Sequence, residues 1–302
     1  MSAQYLKLLH PRYWLTWLGL GVLYGINKLP YRVQLEIGKY LGRCALHLFR
    51  RFRHIAHVNL SLCFPELSTA ARQTLLQKHF ESLGMGLIES GMAYWTPMHK
   101  LAALIQIKGL EHLQAAAAKK QGTLILSAHF TSLDICGSLF SSIFPIHVVY
   151  REQKNQVIDA LLKKQRGRQS MQAIHRRSIR QVIRALKKNA VLWYAVDQDY
   201  GKEYSIFSPF FNIPTATITT PSRYVKHTRS QALTSFYCRL PQGKGYQITI
   251  NPILEAFDQL STLEANSLFN KLLEKAIRAY PEQYLWIHRR FKTRPFGNNP
   301  FY

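Results

Sequence analysis

The chain has 302 residues, 47% of them hydrophobic, enough for one large domain or two small ones, and no segment is long and polar enough to be disordered. Forty Lys and Arg against sixteen Asp and Glu give a formal charge of +24, so the partners it suits are anionic: nucleic acid, an acidic membrane surface, phosphorylated lipids or an acidic carrier protein. Cys44, Cys63, Cys136 and Cys238 are scattered, with no C-x-x-C pair and no His at metal spacing, which argues against a zinc site and for a reduced, cytosol-facing domain.

The first element is an uncharged apolar stretch from Tyr13 to Asn27, bracketed by Arg12 and Lys28 and carrying Trp14, Trp17 and Tyr24. It is short of the ~20 residues that span a bilayer comfortably, and it has no small-residue cleavage site. Snorkelling Arg and Lys with interfacial aromatics make it an N-terminal hydrophobic anchor helix, single-pass or monotopic, with a buried core helix as the bland reading. The basic residues after it, Lys28 to Arg53, place the body of the chain on the cytoplasmic side. The expected division is an anchor over residues 1–30 and a catalytic domain over 31–302.

From Tyr31 to Asn59, Leu35, Leu41, Ala45, Leu48, Phe49, Phe52, Ile55 and Ala56 recur at roughly helical spacing, with Arg43, Arg50, Arg51 and Arg53 mainly on other faces. This is a basic amphipathic helix, suited either to an anionic membrane or to a solvated face. Pro65 breaks it, and Ser68 caps a second helix of roughly Thr69 to Tyr94. Apolar β runs follow at Leu124–Ser127, Ile146–Tyr150, Val191–Val196, Leu233–Tyr237 and Tyr246–Ile250. Helical stretches lie near Leu110–Lys119, Gln156–Arg166, Ser178–Lys188, Thr217–His227 and Leu263–Ala279. That alternation predicts an α/β fold whose mixed, largely parallel sheet is flanked by helices and carries its site at strand ends.

The strongest chemical signal stands where the first of those runs ends. His129 follows Thr123–Ala128, and Asp134 comes five residues later, across small and polar residues that start a helix. A helix beginning there brings Asp134 back toward His129, where a carboxylate fixes the imidazole tautomer and stabilises its cation. That is a general base for a hydroxyl nucleophile, as in acyl transfer to an alcohol. The same spacing recurs at His147 and Glu152, but inside a β run, where an extended path of about 16 Å separates the side chains. Ser132 and Cys136 lie near His129 without a G-x-S-x-G elbow, so a covalent acyl-enzyme is not expected.

Asp197-Gln198-Asp199 directly follows the run Val191–Val196. A D-x-D after a strand can hold a divalent metal and a sugar nucleotide, whereas Tyr200-Gly201 behind it favours a plain turn. Basic residues cluster at Arg151, Lys154, Lys163, Lys164, Arg166, Arg168, Arg176 and Arg177, and again over His288, Arg289, Arg290, Lys292 and Arg294. They read as solvated faces or as docking for a phosphate-rich substrate or acidic carrier. Glycine-rich nucleotide motifs are absent, so ATP-driven or dinucleotide chemistry has no support.

Taken in order, these residues resemble the late acyltransferases of lipid A biosynthesis, the lauroyl/myristoyl family of Gram-negative bacteria. The resemblance rests on Arg53-His54-Ile55-Ala56 leading to Val58-Asn59-Leu60, Cys63-Phe64-Pro65-Glu66, Ala128-His129 to Asp134, Tyr150-Arg151, Trp193-Tyr194-Ala195 with Asp197 to Gly201, and Pro209-Phe210-Phe211; it implies that Asp197 and Asp199 are structural or substrate-positioning rather than metal ligands. Its most diagnostic part is the run from Pro281 to Pro295. It implies a glycerolipid-acyltransferase-like fold at the inner membrane. It also implies an acyl carrier protein thioester as donor, a Kdo-bearing lipid A precursor as acceptor, no cofactor, no metal and no nucleic acid. His129 would be the general base and Asp134 its partner. Arg151 would contact phosphate or oxyanion, framed by Asn155 and Asp159, with Arg166 and Arg168 as further candidates. Many relatives carry Glu where Asp134 stands, and the segment Tyr224–Ala232 is more basic than theirs. Two other readings of the residues stay open: a metal-dependent glycosyltransferase using Asp197 and Asp199, and a basic membrane- or nucleic-acid-binding protein without chemistry.

Overall fold

The computed structural model describes residues 8–166 and 171–302. Four helices come first: α1 (Trp14–Ile26), α2 (Tyr31–Leu48), α3 (Arg50–Cys63) and α4 (Thr69–Trp95). The stretch expected as one helix over residues 31–59 is two, because Phe49 leaves the helical region at φ −97°, ψ 67°. Ser68 caps α4 as the sequence suggests, its Oγ accepting from Ala71 N at 3.2 Å. α2 and α4 cross through glycines: a Cβ on Gly42 would stand 2.1 Å from Phe80 O, and one on Gly84 2.0 Å from Gly38 O. Their backbones touch, and only glycine permits it.

α1 has 13 residues and is therefore about 20 Å long, against a hydrocarbon core of about 30 Å. No helix among the described residues is long and apolar enough to cross a membrane. The expected single-pass anchor is thus not formed there; the apolar stretch is too short. α1 instead docks on α4, where Leu23 and Asn27 close over Gly91. Its outer residues Trp14, Leu15, Leu18 and Val22 remain 57–80% exposed.

The rest alternates. α5 (Met98–Ala102) and β1 (Ile105–Lys108) lead to α6 (Leu110–Ala118), β2 (Thr123–Ser127), α7 (Leu133–Ser141), β3 (Ile146–Tyr150), α8 (Gln156–Arg166), β4 (Met171–His175), α9 (Ile179–Lys187) and β5 (Val191–Ala195). A hairpin of β6 (Ser205–Phe210) and β7 (Ile213–Ile218) precedes α10 (Thr220–Thr228), β8 (Gln231–Arg239), β9 (Tyr246–Ile250) and α11 (Thr262–Ala279). Seven strands form one sheet in the order β1-β9-β8-β2-β5-β3-β4, parallel at every join except β8–β9. The mixed, largely parallel α/β sheet is the one the alternation predicts. β2 lies mid-sheet and is buried throughout, as a parallel strand covered on both faces requires.

One polar cluster ties the helical layer to the sheet. The Arg239 guanidinium on β8 meets the Glu89 carboxylate on α4 through Nε and Nη2, and Tyr246 donates to Glu89 Oε1 at 2.8 Å. Arg239 Nη1 also donates to Ser82 Oγ at 3.0 Å. All four residues are buried, so each charge depends on the other and on these neutral donors and acceptors.

Candidate active site

β2 and β5 are parallel neighbours with Ser127 opposite Ala195, and Val196 N donates to Ser127 O at 3.0 Å. His129 stands two residues beyond Ser127, and Asp197 two residues beyond Ala195. Equal offsets from one register pair bring them together at the carboxyl edge of the sheet, where open α/β folds place their sites. His129 Nδ1 lies 2.6 Å from Asp197 Oδ1, and His129 N donates to Asp197 Oδ2 at 3.0 Å. Both carboxylate oxygens therefore engage His129, and the Tyr284 side chain also bonds this carboxylate.

Burial is the largest influence on the imidazole and acts to lower its pKa, but the charge and hydrogen bond of Asp197 outweigh it and hold the ring above 6.5. Burial likewise acts to raise Asp197, and the His129 charge and hydrogen bonds overcome it, bringing the carboxyl down to about 2. A carboxylate on Nδ1 keeps the proton there. Nε2 is then left with a lone pair and no hydrogen-bond partner among the described residues.

His129 lines a cavity of about 850 Å³, within the range of ligand sites. Its inner wall is apolar and buried, with Phe140, Ile146 and Val148, while Arg151 and Lys154 are exposed parts of the same lining. Arg176 joins them, its guanidinium 5.8 Å from the centre of the Tyr200 ring. The site thus joins an unpartnered basic nitrogen, a greasy interior and a cationic rim.

The structure rearranges the partners expected from sequence. Asp134 lines the cavity from the first turn of α7 but accepts from Ser90 Oγ of α4 at 2.7 Å and does not bond the imidazole. The expected His129–Asp134 hydrogen bond is replaced by His129–Asp197, because the adjacent strand end supplies a carboxylate directly at Nδ1. Arg151 is on the exposed lining of the cavity. Asn155 also lines the cavity, yet its Oδ1 caps α8 through Val157 N at 3.0 Å and its Nδ2 donates to Thr16 Oγ1 of α1 at 2.8 Å. Asp159 accepts from Gln153 N at 2.9 Å and pairs with Lys163 at 2.8 Å, so its carboxylate braces α8. Arg166 ends α8; its side chain, and Arg168 altogether, lie outside the described residues.

Other motifs resolve as well. Asp199 accepts from Gly201 N, Thr293 N and Thr293 Oγ1 at 2.7–2.9 Å, while Asp197 serves His129. The D-x-D is a pair of structural contacts pointing to different partners, and no group of three or more metal-ligating side chains occurs among the described residues. Cys136 is buried with its thiol pushed well above the ordinary value by that burial, and Ser132 is 1% exposed; neither bonds His129. The C-terminal basic cluster is not one docking face either. Arg290 is fully buried, donating to Ala216 O and Thr217 Oγ1 of β7 at 2.6 and 3.0 Å.

A family model for bacterial lipid A biosynthesis acyltransferases matches residues 2–293. The chain is also 42% identical over 292 residues to the lipid A biosynthesis lauroyltransferase of Escherichia coli (strain K12), covering 96% of this chain and 95% of that one. The chain belongs to the lipid A biosynthesis acyltransferase family. It is 39% identical over 298 residues to the E. coli palmitoleoyltransferase, covering 98% and 97% of the two chains. To the E. coli myristoyltransferase it is 29% identical over 294 residues, covering 95% and 90%. The chemistry is therefore acyl transfer in lipid A biosynthesis, and the cavity beside His129 is read in that light.

The sequence does not single out Asp197 as the imidazole partner, nor Trp193, Gln198, Tyr200 and Tyr237 as lining residues. A signal for Asp197 did exist: an acid two residues beyond an apolar strand, matching the offset of His129 from its own strand. Reading it requires knowing that β2 and β5 are neighbours, which spans 68 residues of chain.

Proposed function

We propose that this enzyme moves a fatty acyl group from an acyl carrier protein thioester to the hydroxyl of a hydroxyacyl chain on a Kdo-bearing lipid A precursor, at the cytoplasmic face of the inner membrane. The observation that carries the mechanism is the free Nε2 of a carboxylate-held imidazole on a cavity with an apolar interior. Nε2 takes the acceptor hydroxyl's proton as its oxygen attacks the thioester carbonyl. Asp197 stabilises the imidazolium that forms. The tetrahedral intermediate expels the carrier's thiolate, which recovers the proton from Nε2, and the ester is left on the acceptor. No cofactor enters, since the thioester is already activated. Asp134 adds a second carboxylate to the cavity where the positive charge develops.

Arg151, Lys154 and Arg176 suit the phosphates of the acceptor. The +24 charge suits an acidic carrier protein. Fourteen of the twenty-one strongly exposed large apolar side chains among the described residues fall within residues 9–52, a patch fitted to lie in a membrane interface without crossing it. Thr16 of α1, the helix that carries part of that patch, bonds Asn155 on the cavity wall, so the apolar face and the cavity are held in one frame.

The test is mass spectrometry of lipid A from cells lacking the protein, then complemented with the native chain or with His129→Ala. The native chain should restore one acyl increment and the variant should not, at equal membrane-associated abundance. Restoration by the variant would refute His129 as the base.

A further inference from the structure

The helical glycines near the core have a visible reason to be glycine, with one exception. Gly38, Gly42, Gly84, Gly86 and Gly91 each have a neighbouring atom closer than 3 Å to where a Cβ would stand. Gly137, in the middle of α7, has nothing within 4 Å. It does not adopt positive φ, so no turn requires it. Glycine is disfavoured in a helix interior, and packing gives no compensation here.

What lies in front of it is the cavity. Gly137 is part of the lining, and so are Asp134 one turn before it and Phe140 one turn after it. Those three residues, at i, i+3 and i+6, form one stripe of the face that α7 presents to the cavity, to which Leu133, Cys136 and Ser138 also belong. Asp134 is at the polar end, on the first turn after His129, and Phe140 is on the buried, apolar end. A chain running from the reacting carbonyl near His129 to the apolar wall passes the missing side chain. Open space at Gly137 is therefore cavity volume.

We infer that Gly137 is a specificity-determining residue whose absent side chain keeps the acyl channel open past the first turn of α7, and that any side chain there restricts the length of acyl chain transferred. This rests on the reading that the cavity receives the donor's acyl chain. The curated relatives named above are lauroyl-, palmitoleoyl- and myristoyltransferases, so a shared fold accompanies different acyl lengths and local volume is where the difference must be made.

The experiment uses the full-length enzyme with acyl carrier proteins loaded with saturated chains of ten to sixteen carbons and an extracted lipid A precursor. kcat/KM is measured for the native chain, Gly137→Ala and Gly137→Leu. The leucine variant should shift the preferred chain shorter and lose roughly tenfold or more on the longest efficient native substrate, while short-chain transfer stays within a few-fold. The alanine variant should shift the profile less. Both should melt no lower than the native chain, since each residue favours helix over glycine. An unchanged length profile, or an equal loss at every length in a folded variant, would overturn the role of Gly137 and leave the acyltransfer reading standing. A native enzyme that moves no acyl chain from any of these donors would overturn both.

Discussion

Asp197→Asn removes one charge and keeps the shape of the side chain. In the native site Oδ1 takes the Nδ1 proton at 2.6 Å and Oδ2 takes the His129 backbone N–H at 3.0 Å. An amide can satisfy only one of these. With its oxygen on the backbone N–H, its NH2 faces Nδ1 and drives the ring to the Nε2–H tautomer, which is no base. With its oxygen on Nδ1–H, two N–H groups oppose each other in a buried site. Charge adds to tautomer: two unit charges about 4 Å apart at an effective dielectric near 20 interact by about 4 kcal/mol, equivalent to about a thousandfold in rate. The expected loss in kcat/KM for acyl transfer is therefore about three orders of magnitude, read with acyl carrier protein thioester and lipid A precursor across pH. The pH profile discriminates further. In the native enzyme the imidazole titrates above 6.5, so activity falls as pH drops through that range. Without the carboxylate, burial acts unopposed and the acid limb moves below 6.5. Asp134→Asn should leave the limb in place, because Asp134 touches Ser90 and not the ring, and Asp197 is what holds the imidazole up. An Asp197→Asn enzyme within tenfold of native with an unmoved limb would refute the pairing, and so would a limb that moves only with Asp134→Asn.

Three other outcomes follow from the same contacts. Glu89→Ala should destabilise the fold by roughly 3–5 kcal/mol, measured by urea unfolding, since Arg239 is left charged and buried. His79, buried in α4 with Nδ1 on Glu282 O at 3.0 Å, has its pKa pulled down to about 4 by burial. Between pH 6.5 and 4 the unfolded chain takes up a proton that folded His79 refuses. Its contribution is thus complete above 6.5 and falls by about 3 kcal/mol on acidification to 4; His79→Asn should flatten that slope of unfolding free energy against pH. Transfer activity should be indifferent to a strong chelator, because Asp197 and Asp199 are committed to His129 and to Thr293; a chelator-sensitive enzyme restored by one divalent cation would revive the D-x-D as a metal site.

Much of the frame is legible in the residues. Apolar runs at Leu124, Ile146, Val191, Leu233 and Tyr246 all become strands of the seven-stranded sheet; β2 is a continuous apolar stretch buried on both faces, whereas β9 alternates buried and partly exposed residues. β1 and β4 are less legible, being short edge strands whose partly exposed residues dilute the signal. The β6–β7 hairpin is hidden by Pro209 and Pro214, which sit opposite each other in register, and by a turn with Phe211 and Asn212 at φ 48° and 60°. His129 is legible because strand and helix signals flank it. Its partner is not, since H-x4-D is a local pattern whereas the carboxylate that reaches Nδ1 arrives through strand adjacency. Asn155 illustrates the converse: a polar residue beside a basic cluster looks like a ligand, and its amide is spent on capping α8 and holding α1.

The same distinction explains the C-terminal run, the most diagnostic part of the sequence, which contributes no free nucleophile or base. It braces the site through backbone and through the side chains of Tyr284, His288 and Thr293. Leu285 N donates to His129 O at 3.0 Å and Thr131 N donates to Gln283 O at 2.8 Å, so His129 and the chain that follows it are hydrogen-bonded to this segment. His288 Nε2 accepts from Asp199 N at 3.1 Å, and Thr293 holds the Asp199 carboxylate, fixing the loop that carries Asp197. Asn59 of α3 then pins the run by donating to Trp286 O and His288 O at 2.6 and 2.8 Å. One segment therefore sets the separation of the two loops whose side chains must meet within hydrogen-bonding distance. A dyad split between two strand ends is only as well positioned as the element that bridges them. This accounts for a dense motif at a chain end far in sequence from His129, and for a buried Arg290 that serves β7 instead of a substrate.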